Sequence, residues 1–149
     1  MKIYIFDIDE TILNSWHRQL FFLNGEMDLI YWENNSTREN IFKDTELHLA
    51  NYMRWLIAEQ NTVWILTARV MSEHDVDFLK QKKLMPDRII SRVKGDTRED
   101  HIFKKERMEQ IIKSSRYINT ANMVFFDDKR ANRKALQSLG IASYDPNGL

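Results

Sequence analysis

A chain of 149 residues falls in the single-domain range and can bury one sizeable core, and 43% hydrophobic with 30% charged residues is a globular composition. The absence of cysteine excludes a disulfide framework and a thiolate zinc site, and His17, His48, His74 and His101 lack close paired spacing, so any metal is expected to be oxygen-ligated. Net charge is zero, no apolar run approaches the roughly 20 residues of a membrane span, and the apolar start meets Asp7 and Asp9 without a small-residue cleavage site; a cytoplasmic protein with no membrane partner is expected.

In chain order, apolar runs predict strands over Lys2 to Phe6, Thr62 to Leu66, Arg88 to Ile90, Met123 to Phe126 and Ile141 to Tyr144. Between them, helical patterns run over roughly Thr45 to Glu59, Ser72 to Lys82, Glu99 to Lys113 and Arg130 to Leu139, the last stopped by Gly140. Alternating strands and helices imply an α/β fold, a Rossmann-like parallel sheet of about five strands flanked by helices. Residues 14 to 44 break the pattern: Trp16, Phe21, Phe22, Tyr31 and Trp32 mix with Asn and charge without a clean period, which reads as a small cap or flap after the first strand. There is no repeat and no Pro/Gly-rich linker, so residues 1–149 are expected to form one domain.

Asp7, Thr67 and Asp127 each fall at the carboxyl end of a predicted strand, the edge where open α/β sheets bind ligands. Asp7 and Asp9, two residues apart, can turn towards one side of the chain, offering a nucleophile and an acid from one strand end. Burying such groups unpaired would cost several kcal/mol, so a core role for all three strand ends is unattractive. Together with Thr67, Lys104 and the pair Asp127-Asp128, they spell a phosphoryl-transfer site in four pieces.

The motifs Asp7-Ile8-Asp9-Glu10-Thr11, Thr67, a lysine and Asp127-Asp128, in this order over nearly the whole chain, resemble the haloacid dehalogenase (HAD) superfamily of phosphotransferases. The resemblance implies that Asp7 attacks phosphorus to form an aspartyl-phosphate and that Asp9 protonates the leaving alkoxide and then activates water. It further implies Mg²⁺ held by the Asp7 carboxylate, the Asp9 backbone carbonyl and Asp127, with Asp128 supporting, and Thr67 donating to a phosphoryl oxygen.

Two lysines compete for the third motif: Lys94, just after a strand, and Lys104 in Arg98-Glu99-Asp100-His101-Ile102-Phe103-Lys104-Lys105-Glu106. The latter stretch is similar to the phosphatase domain of phage polynucleotide kinase-phosphatases, which implies an essential pair Asp100 and Lys104, one helical turn apart, with Asp100 orienting the ammonium group. The same resemblance implies phosphate-gripping arginines at Arg18, eleven residues after Asp7, and Arg69. Two positions depart from that family: Lys129, where Arg is usual, and Glu10, where Gly is typical; Asp-x-Asp-Glu-Thr instead resembles phosphatases of phosphoserine tails.

Residues 80 to 116 hold twelve Lys and Arg against six Asp and Glu, and the small insert leaves little material to enclose a metabolite. A polynucleotide 3'-phosphatase acting on a nucleic-acid 3' end, DNA or RNA, is therefore expected, with Trp16, Phe22 and Trp32 as candidates to stack a terminal base. A nucleotidase or phosphoprotein phosphatase is the alternative, and a non-catalytic phosphoacceptor module ranks below both. With glycine only at 25, 95, 140 and 148, no phosphate-binding kinase loop is possible; any kinase or ligase would be a separate partner.

Overall fold

The computed structural model describes residues 1–148. Five parallel strands, β1 (Ile3–Phe6), β4 (Thr62–Thr67), β5 (Arg88–Ser91), β6 (Met123–Phe126) and β7 (Ala142–Tyr144), make one sheet in the order β5-β4-β1-β6-β7. The chain winds outward from β1 through β4 to β5, then returns to the other side of β1 for β6 and β7. The reversal lies between β1 and β6, where doubly wound sheets open a crevice at the strand carboxyl ends.

Strand pleating sorts the apolar side chains onto two faces. Phe6, Val63, Ile65, Val124 and Phe126 pack with α3 (Leu49–Ala58) and α4 (Glu73–Gln81). Ile3, Ile5, Trp64, Leu66, Met123 and Phe125 pack instead with α5 (Asp100–Ser114) and α6 (Arg130–Gln137). Asp7 and Asp127 continue the alternation of Ile3/Ile5 and Met123/Phe125, and Lys104 heads the buried α5 stripe that continues through Met108 and Ile111. One lysine is thereby delivered to two strand ends.

The insert is closed at its root by a two-residue antiparallel ladder, β2 (Leu13–Asn14) against β3 (Thr45–Glu46). Thr45 and Glu46 thus belong to a strand, not to the helix expected from Thr45; α3 begins at Leu49, after the Leu47 amide bonds the Ile12 carbonyl. Between β2 and β3 the chain forms a single 3-10 turn (Trp16–Arg18) and two short helices, α1 (Leu29–Asn34) and α2 (Arg38–Ile41), capped by Asp28 and Thr37. Leu20, Phe21, Phe22, Leu23, Leu29 and Ile30 are exposed. No helix among the described residues is long and apolar enough to cross a membrane.

Candidate active site

Asp7 leaves β1 buried, and its carboxylate meets two donors: Lys104 Nζ at 2.8 Å and the Thr11 hydroxyl at 3.0 Å. Thr11 comes back to Asp7 because Glu10 adopts a left-handed conformation (φ 61°) that reverses the chain. That backbone is one that glycine adopts without strain and other residues adopt rarely. The Glu10 side chain accepts from the Ser15 amide and Gln19, pinning the turn.

Asp127 is fully buried at the end of β6 and accepts from three donors: Lys104 Nζ at 2.7 Å and Asn132 Nδ2 at 2.9 Å on one oxygen and the Lys129 amide at 2.8 Å on the other. Lys104 thus bridges Asp7 and Asp127, and their charges hold its ammonium well above the ordinary lysine range despite complete burial. Lys94, by contrast, is 81% exposed and pairs with Glu33. Of the two lysines, Lys104 is the one at the strand ends.

The carboxylates of Asp7, Asp127 and Asp128 offer ligand atoms within 4.8 Å of one another. Burial, followed by the Asp127 charge, pushes the Asp7 carboxyl well up, and the same two causes raise Asp128 to about 6. Three acidic groups with one buried ammonium are short of positive charge, and an all-oxygen donor set suits a hard cation. Asp128 stands with Asp7 and Asp127 as a full member of this cluster, where the sequence suggested only support.

Asp9 turns the other way. Its carboxylate, a quarter exposed, accepts from Ser15 Oγ at 2.6 Å and from Arg69 Nη2 and Nε at 2.5 and 3.3 Å. Burial works to raise its pKa, but Arg69 prevails and lowers it. Thr67, at the end of β4, is fully buried; its oxygen accepts the Arg69 amide at 3.0 Å, leaving the hydroxyl proton available. Arg69 also meets Asp75 at 2.7 Å, a residue whose other oxygen closes the capping box of α4 with Ser72.

Two expectations need correction. Asp100 does not bond Lys104: it pairs with Arg92 at 2.8 Å and Lys129 at 3.0 Å, because one helical turn of α5 separates a buried lysine from a half-exposed rim. The Arg18 fork is occupied, donating to both Asp44 oxygens at 3.0 and 2.8 Å and to Ser36 at 2.9 Å, with its central carbon 4.2 Å from the Trp32 ring centre. Trp32 is thereby an arginine platform and has that face covered. Thr11, Ser15, Asp44, Asp75 and Asn132 were not singled out from the sequence. Thr11 had a signal, being a member of the quoted Asp7-Ile8-Asp9-Glu10-Thr11 motif, and Asn132 a weaker one, lying five residues after Asp127; Asp44 and Asp75 had none.

Solved structures share this architecture. A haloacid dehalogenase-like family hydrolase from Streptococcus pneumoniae superposes with a TM-score of 0.69 at 9% identity, over 96% of this chain and 83% of that one. A chain of the Pnkp1/Rnl/Hen1 RNA repair complex gives 0.66 at 19% identity, over 97% of this chain and 42% of that one. The chain thus shares the α/β fold of these proteins, among them a haloacid dehalogenase-like hydrolase.

The chain belongs to the bacteriophage T5 5'-deoxynucleotidase family, whose model matches residues 1–149. A curated relative, the 5'-deoxynucleotidase of Escherichia phage T5, is 38% identical over 87 residues, which is 56% of this chain and 36% of that protein; the match spans just over a third of the relative's length.

Proposed function

We propose that the chain, as one domain with a flap, is a Mg²⁺-dependent phosphomonoesterase whose substrate is a deoxynucleoside 5'-monophosphate. The observation that carries the chemistry is Lys104 bridging Asp7 and Asp127 beside the Thr11 hydroxyl. Membership of the 5'-deoxynucleotidase family supports the substrate.

An Asp7 oxygen attacks phosphorus in line, the bond to the 5'-oxygen breaks, and the leaving alkoxide takes a proton from Asp9. Water then gives a proton to Asp9 and attacks the aspartyl-phosphate, releasing inorganic phosphate and restoring Asp7. Lys104 and the Thr67 hydroxyl stabilise the charge on the transferring group. Mg²⁺, held by Asp7, Asp127 and Asp128 with the Asp9 carbonyl, would supply further neutralisation of the phosphoryl oxygens. Although Arg69 lowers the Asp9 pKa in the free protein, a bound phosphate dianion works against this: it brings like charge to Asp9 and competes for Arg69.

A second reading, removal of a 3'-phosphate from a polynucleotide end, rests on the sequence spacing of Arg18, Arg69, Asp100 and Lys104, although Arg18 and Arg69 are held by Asp44, Asp9 and Asp75 and Asp100 pairs away from Lys104. The basic segment gives it less support than its composition suggests, because Lys94, Arg92 and Arg98 are paired with Glu33, Asp96, Asp100 and Glu106. Mg²⁺-dependent phosphate release from deoxynucleoside 5'- and 3'-monophosphates, 5'- and 3'-phosphorylated oligonucleotides and a phosphoserine peptide decides between them. The highest kcat/KM is expected on the 5'-mononucleotide. Preference for the 3'-phosphorylated oligonucleotide would establish end repair, with a kinase or ligase as partner, and no release from any substrate would favour a phosphoacceptor module.

A further inference from the structure

Asp44, the last residue of the insert before β3, is buried and carries no part of the phosphoryl chemistry. Its two oxygens receive four donors: His17 Nε2 at 2.8 Å and Arg18 Nε at 3.0 Å on one, Arg18 Nη2 at 2.8 Å and Arg69 Nη2 at 3.4 Å on the other. A carboxylate has about four acceptor sites. Asp44 is therefore saturated by protein and has nothing left for substrate or metal.

Arg69 Nη2 is shared between Asp44 and Asp9, while Asp75 holds Nη1. The arginine is pinned from the insert and from α4 at once, and its Nη2 and Nε bond the two Asp9 oxygens, one of which also accepts from Ser15 Oγ. The Trp32 ring centre lies 4.2 and 5.6 Å from the guanidinium carbons of Arg18 and Arg69, and its contact with both opposes their swinging out of the network. Without Asp44, Arg69 loses its tether to the insert and Arg18 is left as a buried, unpaired cation beside it.

We propose that Asp44 is a positioning residue: by tethering Arg69 to the insert, it sets the orientation in which Asp9 meets the leaving-group oxygen. The inference rests on the reading of Asp9 as the acid that serves the leaving group. It makes the insert a working part of the site and not merely a cover.

Leaving-group dependence separates positioning from a plain structural role. A 5'-alkoxide needs a proton as it departs; p-nitrophenolate does not. Because kcat/KM reports only the steps through departure of the leaving group, Asp44→Asn is expected to lower kcat/KM about tenfold or more for deoxythymidine 5'-monophosphate, or for whichever alkyl phosphate the wild type hydrolyses. For p-nitrophenyl phosphate the change stays within about twofold. Asp44→Glu, which keeps the carboxylate, restores part of the alkyl-phosphate rate.

His17→Ala removes one donor to Asp44 at a partly exposed position and serves should Asp44→Asn fail to fold. It gives the same selectivity at smaller amplitude, about threefold. Equal losses on both substrates in a folded variant, or no loss on either, overturn the proposal. A wild type that hydrolyses neither substrate refutes the phosphatase reading itself.

Discussion

The site has two halves with opposite charge accounts. On the β1/β6 side, Asp7, Asp127 and Asp128 face one buried ammonium, Lys104. On the insert side, Asp9, Asp44 and Asp75 face two buried guanidinium groups, Arg18 and Arg69, with His17 as a further donor. The first half is left wanting a cation and raises the Asp7 carboxyl; the second nearly closes on itself and lowers that of Asp9. On the proposed function, the under-compensated half is where a metal ion would supply the positive charge that the fold omits and let an anionic phosphoryl group approach. The compensated half holds things still.

The largest effect that tests this contrast is Asp7→Asn, which removes the nucleophile at constant size. Turnover should fall by about a thousandfold or more. The sign for stability is opposite to the usual loss of a paired carboxylate. A folded pKa raised above its unfolded value means that the ionised form is disfavoured in the fold at neutral pH, so the neutral amide, in EDTA, should melt at or above the wild type. Retained turnover in Asp7→Asn would end the aspartyl-phosphate mechanism.

Next in size is Lys104→Ala, which strips two buried carboxylates of their shared cation. It should lower kcat about a hundredfold and destabilise by about 3–5 kcal/mol, the range for breaking a buried pair. Lys94→Ala, at an exposed position, should stay within about 0.5 kcal/mol and leave kcat unchanged. A reversed pattern would move the third motif to Lys94.

If the first half lacks a cation, Mg²⁺ should stabilise the fold without substrate. At a hundred times its dissociation constant, linkage gives about 2.7 kcal/mol, a rise in Tm of roughly 5–10 °C. Asp128→Asn should shrink that rise. An unchanged Tm on adding Mg²⁺, in a wild type that still turns over, would mean that this half does not take up the cation in the absence of substrate.

The first half was the legible one. β1, β4 and β6 announce themselves as apolar runs, and a polar residue after each run fixes Asp7, Thr67 and Asp127 to one edge, because parallel register aligns strand ends. Lys104 was harder to place, since its importance lies in heading the buried stripe of α5, a tertiary fact. The second half was almost illegible. Asp44 and Asp75 are separated from Arg69 by 25 and six residues and sit in no motif; only the closure of the insert by β2 and β3 and the capping of α4 bring them together. Arg18 was found by its spacing, but spacing could not tell that Asp44 occupies its fork.

The smallest effect concerns Asp100, which the sequence tied to Lys104 and the structure ties to Arg92 and Lys129. Burial works to raise its carboxyl, yet Lys129, with Lys104 and Arg92, lowers it below the ordinary Asp range. A depressed folded pKa contributes stability that is present above the unfolded value, near 3.9, and is lost as pH falls through the folded one. With the side chain 36% exposed, solvent screens the pairs, and the contribution is a few tenths of a kcal/mol. Asp100→Asn should therefore lower Tm at pH 7 by about 1–2 °C, and the gap to the wild type should close as pH falls below the folded pKa. A kcat loss comparable to that of Lys104→Ala would show instead that Asp100 reaches the chemistry in the substrate-bound protein, which would join the rim of α5 to the under-compensated half of the site.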